Sequence, residues 1–510
     1  MHNQYRRRIH KNCSAILFLL AFISQGIVLH AQSDHYWSQN FNNESVLVAG
    51  AVVGGFAGTS AVYYNPAIIN EKGSSIISFS TNLLSMQNTR IDNLAGSNTE
   101  YDRFNFLIQP KFISYTGIAK RNKNINYELA LFSRVTKDIR INYIFDSEVD
   151  IIQRLDGLET YIGQINYRDK YQDLYLGGGV SRRIGKRFSV GVSGFLSLKL
   201  VEFNTEIGAE AMQGSDTVYA NGIPEPYYSA QTNILSRTKY WDLSVIIMLG
   251  AHYESLNKRL GIGLKFTMPN IHIYGEGKIR KGYSRARVYN DIANTFVEDL
   301  DFIGYEDRIR SNVKDPFSIA MGVRYWTKEK KNAVMFSMEY FFPISTYSFL
   351  KSKDLKTFGN TENIVNSEDI NFLSSSNSVL NIAIGYVQNL SEKLTVAGGF
   401  KTDFNNLSSV SESAKEKYLF DIETRDLYMD KYHLVFGPFF KIKSLGIVLG
   451  VQYTWGRQKE LSNIINFTNP IEYNPNTELS LQGIREDNMT LSYNEVSLFF
   501  GVTYGFGTKD

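Results

Sequence analysis

The sequence has very little cysteine and proline, and it has no long apolar run beyond its N-terminal region. Its 510 residues include a single cysteine, Cys13, ten prolines and four tryptophans. If the first residues are removed on export, the mature chain has no thiol, which excludes disulfides, cysteine metal sites and cysteine nucleophiles. No later stretch contains about 18 consecutive apolar residues, which excludes transmembrane helices.

The chain also lacks an excess of either charge once its N-terminus is set aside. Residues 1–31 hold four of the 54 Lys and Arg and none of the 51 Asp and Glu, so the remainder has a net charge near −1. The pI of 8.5 is therefore no argument for binding nucleic acid. Phenylalanine (33), tyrosine (32) and glycine (39) are plentiful instead. This composition is typical of membrane barrels, which have aromatic girdles and small residues facing the lumen.

Residues 1–31 have the three parts of a signal peptide. Arg6, Arg7, Arg8 and Lys11 are basic, residues 14–29 are nearly all apolar, and Ala31 supplies a small residue for cleavage. The alternative is an N-terminal anchor helix, but about sixteen apolar residues are short for a span of about 20. The sequence therefore predicts export and cleavage.

Apolar residues alternate with small or polar ones along many segments of about ten residues. In 444–456, for example, Leu445 and Ile447 share one face while Gly446 and Gly450 share the other. A period of two predicts strands with one apolar face, and the length matches a tilted membrane crossing. The predicted strands lie near 74–86, 104–118, 124–135, 172–184, 187–202, 239–253, 259–276, 317–327, 332–343, 378–389, 393–403, 428–441, 444–456 and 491–507.

The connections between these strands alternate between short and long. The short ones lie at 120–124, 185–186, 254–258, 328–331, 390–392 and 442–443. The long ones lie at 87–103, 136–171, 203–238, 277–316, 344–377, 404–427 and 457–490. Short periplasmic turns, long external loops and an even strand number are typical of bacterial outer-membrane barrels. Residues 74–510 are therefore predicted to form an all-β, transmembrane antiparallel barrel of about 14 strands.

A glycine-rich segment precedes the first strand, within residues 32–73. Gly50-Ala51, Gly54-Gly55 and Ala57-Gly58 are followed by residues 60–67, which end in Asn65-Pro66-Ala67. This pattern resembles the N-terminal hatch of the FadL/TodX outer-membrane transporters. The resemblance implies a fourteen-stranded barrel, a plug with an Asn-Pro-Ala motif inside the lumen, and uptake of long-chain fatty acids or other hydrophobic compounds.

The segment departs from the family pattern on both sides of the motif. Gly58-Thr59-Ser60 stands where the family often has an acidic pair, and Ile68-Ile69-Asn70 replaces the usual residues after the triplet. We therefore expect a divergent member. The alternatives for residues 46–70 are a periplasmic extension, or a first strand with its turn.

The hatch reading assigns gating to six residues of this segment. Glycine permits close packing of the backbone, Pro66 restricts the residue before it, and the Asn65 side chain can fix the turn. The predicted hatch residues are Gly54, Gly55, Gly58, Asn65, Pro66 and Ala67.

Some charged residues fall on the inward face of the predicted strands. A Lys or Arg facing lipid at the midplane would cost about 2–4 kcal/mol, so we place these side chains in the lumen. We expect a hydrogen-bonded structural network, with direct substrate contact as the alternative. Its predicted members are Glu128, Lys265, Arg324, Glu339 and Lys401.

The sequence shows no pattern of catalytic or metal-binding residues. The mature histidines His35, His252, His272 and His433 are isolated, with no spacing that suggests zinc. His433 is the one candidate base to consider, but we interpret it as an ordinary lumen histidine. The carboxylates of 298–307 do not have EF-hand spacing. We therefore predict no enzyme activity, no metal and no cofactor.

Two functions from different classes follow from this sequence. The first is passive, hatch-gated uptake of hydrophobic small molecules, such as long-chain fatty acids, by a protein surrounded by outer-membrane lipid in a Gram-negative cell. The second is a non-transporting interaction protein on the same scaffold, because some relatives of the resembled family are secretion-system components that bind exported proteins. An outer-membrane hydrolase is a third reading, which lacks a catalytic pattern.

Overall fold

The computed structural model describes most of the chain beyond the predicted signal peptide. The described residues are 35–38, 43–71, 75–119, 124–214, 218–219, 228–359, 372–407, 427–476 and 479–506. The predicted signal peptide, residues 1–31, lies outside them. In these ranges no helix is both long and apolar enough to cross a membrane.

Seventeen strands form one sheet. They are β1 (Ser75–Asp92), β2 (Glu100–Ile118), β3 (Ile125–Val149), β4 (Glu159–Ile184), β5 (Phe188–Gln213), β6 (Ser229–Glu254), β7 (Leu260–Thr267), β8 (Ile271–Ala286), β9 (Leu300–Arg310), β10 (Ser318–Trp326), β11 (Asn332–Phe341), β12 (Lys356–Gly359), β13 (Val379–Asn389), β14 (Leu394–Asp403), β15 (Lys431–Ile442), β16 (Leu445–Leu461) and β17 (Met489–Phe506). Three two-stranded sheets occur in the loops, at 155–156 with 218–219, 289–290 with 295–296, and 344–350 with 372–376.

Fourteen of these strands close into a barrel. Each of β1–β7, β10, β11 and β13–β17 pairs with the next in antiparallel fashion. The last strand returns to the first, with Ser75 opposite Phe506 and Asp92 opposite Thr490. Each strand of the ring is therefore paired on both sides over at least part of its length, as a membrane barrel requires. The predicted transmembrane barrel of 14 strands is confirmed.

Alternation along each strand separates the lumen from the outer face. On β5, Val192 and Leu196 are exposed on the outside, while Ser193 and Ser197 are buried inside. All predicted short connections that the structure describes join neighbouring strands of the ring. The ring therefore has short turns at one end and the longer segments, here called the loop end, at the other.

The strands are longer than the sequence predicts at the loop end. Strands β3, β4, β5 and β6 run for 25 or 26 residues, so they include most of the predicted loops 136–171 and 203–238. Beyond the membrane-length apolar band the outer face becomes polar, and in the sequence this change resembles the start of a loop.

The wall is interrupted at Met268-Pro269-Asn270. Here the predicted strand 259–276 is two strands, β7 and β8, because proline cannot donate a ladder hydrogen bond. Strand β8 pairs with the loop-end half of β6, and β9 pairs with β8. The predicted loop 277–316 therefore contains strand as well.

Short helices form the segment before β1. Its elements are α1 (Asn43–Leu47), a 3-10 turn at Gly58–Ser60, α2 (Ala61–Tyr64) and a second 3-10 turn at Pro66–Glu71. We call residues 43–71 the N-terminal segment. Its apolar residues share one buried cluster with inward-facing residues of the strands, including Phe132, Phe195 and Val435.

Candidate functional site

The N-terminal segment packs directly on the backbone of the barrel wall. Inward-facing glycines on seven strands meet it so closely that a side chain would have no room. A Cβ atom on Gly322 would lie 2.8 Å from the Gly54 nitrogen, and one on Gly250 would lie 2.9 Å from the Ala67 nitrogen. The glycines that meet the segment in this way are Gly191, Gly250, Gly261, Gly263, Gly322, Gly385, Gly399 and Gly437.

Asn65 joins two parts of the segment to the wall. Its Nδ2 donates to the carbonyl oxygens of Val53, at 3.0 Å, and Ala251 of β6, at 3.2 Å. Its Oδ1 accepts from the backbone nitrogen of Ala67 at 3.1 Å, which closes the turn over Pro66. The side chain is fully buried. Removing its amide would leave these backbone groups without that partner.

The predicted hatch glycines lie in the same contact. Gly54 packs against the backbone of Val323, and its carbonyl oxygen lies 3.1 Å from His252 Nε2. Gly55 and Gly58 have φ values of 123° and 61°, a region that favours glycine. The carbonyl of Pro66 lies against Gly191. All six predicted hatch residues are therefore at or beside the wall.

Three of the five predicted lumen charges meet at Trp37. Lys265 Nζ forms an ion pair with Glu339 Oε1 at 3.0 Å. The indole nitrogen of Trp37 donates to Glu339 Oε2 at 3.0 Å, and Lys401 Nζ donates to the Trp37 carbonyl oxygen. Ser318 adds a hydrogen bond to Glu339 at 2.6 Å. These side chains hold the chain before the N-terminal segment inside the lumen.

The other two predicted charges have different surroundings. Arg324 Nη2 forms an ion pair with Glu254 Oε1 at 3.0 Å, near the short-turn end. Glu128 is fully buried on β3, where it lies opposite Gly179 of β4.

A second ionic cluster was missed by the sequence analysis. Asp315 lies 2.6 Å from Lys199 Nζ and 3.3 Å from Arg134 Nη2, and Arg134 Nε lies 2.7 Å from Asp173. Parity along β4 and β5 places Asp173 and Lys199 inside. Asp315 belongs to the connection 311–317, whose inward fold no strand pattern could predict.

His433 is a buried lumen residue held by polar neighbours. Its Nδ1 lies 2.8 Å from Thr454 Oγ1, and its Nε2 lies 3.8 Å from Asp403. Asp403 also accepts from the Trp37 backbone nitrogen at 2.9 Å and lies 3.3 Å from His35 Nδ1. Within the described ranges, no group of His, Cys, Asp or Glu is arranged to hold a metal ion.

The wall has a window between β2 and β3. The two strands pair only from Phe112 with Phe132 to Ile118 with Asn126. Above that point the chains separate, at a bulge of β3 and beside Pro110, which cannot donate to the ladder. Arg103 closes the far side by donating to the Arg140 carbonyl oxygen at 2.7 Å.

A cavity of about 290 Å³ opens through this window. It is lined by lumen residues such as Gln87, Leu107 and Glu495, and by outward-facing residues such as Ile108. This volume is at the low end for a small-molecule site. The cavity does not touch residues 65–67.

An aromatic cluster lies at the lower edge of the window. Phe112 and Phe132, the last paired residues there, have ring centres 5.7 Å apart. Tyr63 of the N-terminal segment packs edge-on against Phe132 at 5.3 Å, and Phe132 contacts Phe195 of β5 at 5.5 Å. The segment therefore supplies one ring of an aromatic group whose other rings belong to the wall.

Folded loops cover the loop end of the barrel. Arg154 lies over the rings of Tyr228, Tyr289 and Phe296, with its Cζ 4.1–4.7 Å from their centres. Glu472 accepts from the Tyr289 backbone nitrogen at 2.8 Å. Burial raises the pKa of Glu472 to about 7, so its negative charge is incomplete at neutral pH. We call this group the loop cap; it is held by ring packing, by the Arg154 cation over three rings and by the hydrogen bond to Glu472.

These features define a closed, fourteen-stranded membrane barrel whose lumen is occupied by its own N-terminus. A Pseudomonas aeruginosa FadL homologue has a similar structure, with a TM-score of 0.51 and 13% identity over 93% of this chain and all of that one. The P. putida toluene transporter TodX matches at 0.52 and 11% identity, over 92% and 99% of the two chains. A TodX mutant described as a monoaromatic hydrocarbon channel matches with a TM-score of 0.54 and 12% identity, over 92% of this chain and 100% of that one.

The chain therefore has the fold of the FadL and TodX barrels, as the motif in the N-terminal segment predicted. These three solved proteins are named as a FadL homologue, a transporter and a channel. No protein-family sequence model matches the chain. No curated protein sequence matches it either.

Proposed function

We propose that this protein is an outer-membrane channel for passive uptake of hydrophobic small molecules, in which residues 43–71 act as the hatch. The observation that carries the proposal is the aromatic cluster, which joins Tyr63 of the segment to the wall at the window. Aromatic rings suit an apolar ligand, and a moving segment would dismantle the cluster. Long-chain fatty acids and small aromatic hydrocarbons are the substrate classes to test, and the predicted signal peptide would direct the protein to the outer membrane of a Gram-negative cell.

We further propose that substrate passes sideways through the window between β2 and β3. The N-terminal segment fills the short-turn half of the lumen against the wall glycines. The loop cap covers the other end. Among the described residues, the window is a route that neither of them covers, and its cavity is lined from both the lumen and the outer face of the wall.

Asn65→Ala should raise the substrate concentration for half-maximal uptake about tenfold. The change leaves buried backbone groups without a partner, at a cost of about 1–3 kcal/mol, which loosens the segment that carries Tyr63. Uptake of radiolabelled oleate and toluene by cells that express equal amounts of folded barrel measures the effect. Asn290→Ala is the matched control, because Asn290 accepts the same kind of backbone hydrogen bonds in an exposed loop. Unchanged uptake in Asn65→Ala would favour the interaction-protein function.

Leu107→Trp should slow uptake at all substrate concentrations, because the indole would occupy much of the cavity of about 290 Å³ at the window. Leu449→Trp, on the lipid-facing side of β16, adds the same group away from the window. A periplasmic route predicts equal uptake by the two variants. A lateral route predicts loss in Leu107→Trp alone, by the same assay.

A further inference from the structure

The outer face of the barrel becomes basic just beyond its apolar band on strands β4, β5, β6 and β8. On each strand the lipid-facing apolar residues end and charged residues follow within two to four positions toward the loop end. The last apolar residues are Leu174 on β4, Leu200 on β5, Trp241 on β6 and Tyr274 on β8. The cations that follow are Lys170, Arg168, Lys239, Arg237, Lys278 and Arg280.

The strand register places these cations side by side in two rows. The lower row is Lys170, Glu202, Lys239 and Lys278, and the upper row is Arg168, Asn204, Arg237 and Arg280. Eight positions therefore hold six cations and one carboxylate. Because neighbouring strands lie about 4.8 Å apart, each row is roughly 14 Å wide. We call these eight positions the basic patch.

Only part of this charge is neutralised within the protein. Arg168 forms an ion pair with Glu202 at 3.3 Å, and Arg237 pairs with Glu206. No carboxylate of the described chain lies within 4.0 Å of the charged nitrogens of Lys170, Lys239, Lys278 or Arg280. Four further carboxylates flank the patch, namely Asp138, Glu206, Glu276 and Asp307. Arg140 and Arg308 also flank it, so cations still outnumber carboxylates.

Two open grooves run across the patch. The first, of about 640 Å³, has Leu200 and Trp241 on its apolar side. Its polar side has four cations and three carboxylates: Lys170, Lys239, Lys278, Arg308, Glu202, Glu276 and Asp307. The second, of about 800 Å³, is lined by residues of both rows, among them Arg168, Arg237 and Arg280. The apolar side of the first groove continues into the lipid-facing surface below. The grooves therefore offer cations and an apolar surface to the same ligand.

We propose that the basic patch binds the phosphorylated head group of a lipid in the membrane leaflet at the loop end. Phosphate oxygens accept charge-assisted hydrogen bonds from Lys and Arg, and the acyl chains of such a lipid would follow Leu200 and Leu198 toward the membrane interior. A fully soluble anion would make no contact with the apolar side of the groove. This site lies on the outside of the barrel and is independent of the proposed transport.

The test uses diphosphoryl lipid A as the probe, with dephosphorylated lipid A as the matched ligand. Binding to the purified full-length protein in neutral detergent is followed by native mass spectrometry. Lys239→Gln/Lys278→Gln should weaken binding of the diphosphoryl form roughly 30-fold, because each of the two cations contributes about 1 kcal/mol near a membrane surface. Raised salt should weaken binding to the unmodified protein.

The control removes two cations from the outer face elsewhere. Arg90→Gln/Arg457→Gln alters β1 and β16, outside the patch, and should leave binding unchanged. Equal loss in the two double variants would overturn the proposal, as would equal binding of the two lipid forms. Displacement of the lipid by inorganic phosphate at the same concentration would also overturn it, because it would mean a simple anion site. All four positions are on the surface, and unchanged gel mobility of the unheated protein verifies folding.

Discussion

Deletion of residues 46–67 should leave a barrel that folds and inserts but leaks small solutes. The ring closes on itself without the N-terminal segment, because each strand pairs with the next and β17 pairs with β1. The glycines of the wall have no side chains to fill the space, so without the segment the short-turn half of the lumen would be open. Water and sugars could then enter by the window between β2 and β3 and leave at the short-turn end.

Conductance in planar bilayers and swelling of sugar-loaded vesicles both measure this effect. The unmodified protein should be nearly silent in both assays, and Asn65→Ala, which retains the segment, should resemble it. A deletion variant that folds but stays sealed would mean that the loop cap and the side chains at the window close the lumen by themselves. A variant that cannot fold would show that the segment belongs to the wall, and the hatch proposal would be wrong.

Leu196→Arg should impair barrel assembly by about 2–4 kcal/mol. Leu196 is exposed on the outer face of β5, with Val190 and Val192 toward one end of the strand and Leu198 and Leu200 toward the other. A guanidinium there would lie in the middle of the apolar band, far from either polar surface. The folded fraction in urea titrations with lipid vesicles measures the loss.

Gln87→Arg is the control for this prediction. Gln87 lines the cavity inside the lumen, where Glu495 also lies, so a new cation there has water and a carboxylate nearby. This variant should assemble nearly as well as the unmodified protein. Equal impairment at both positions would mean that the outer face of the barrel does not meet lipid.

The membrane part of the barrel could be predicted from sequence because lipid imposes a strict rule on one face. Within the membrane the outward-facing residues are apolar, whereas beyond it the outward-facing residues are polar and the inward-facing ones are apolar. Because of this change, the sequence did not indicate where the strands end. In the last third of β5, Ile207 and Ala209 face inward while Glu206 and Glu210 face outward. The period of two continues there, but its apolar face has changed sides. If the apolar face is allowed to change sides along a strand, the alternation predicts these strands at their full length.

The contacts of the N-terminal segment and the lumen charges could be predicted where they depend on local sequence or on the alternation of inward and outward positions along a strand. Asn65 acts on its own turn, and parity placed Lys265, Glu339 and Lys401 inside the lumen. Trp37, which joins these three charges, lies 302 residues from Glu339 along the chain and has no periodic neighbours. Asp315 was missed for a similar reason. The wall glycines could be recognised as small lumen residues, but nothing in the sequence indicated which backbone they would contact.

The position of the N-terminal segment has a consequence for the order of folding. The segment continues directly into β1, yet α1 contacts β15 and Val48 meets Gly385 of β13 and Gly399 of β14. The seam between β1 and β17 joins the two ends of the barrel sequence, so it can form only after every other strand is present. Contacts between the segment and strands β13–β15 then hold the two ends of the open sheet near each other before the seam exists. The segment would thus shorten the search for closure, and the deletion variant should close its barrel more slowly even if the finished wall is the same.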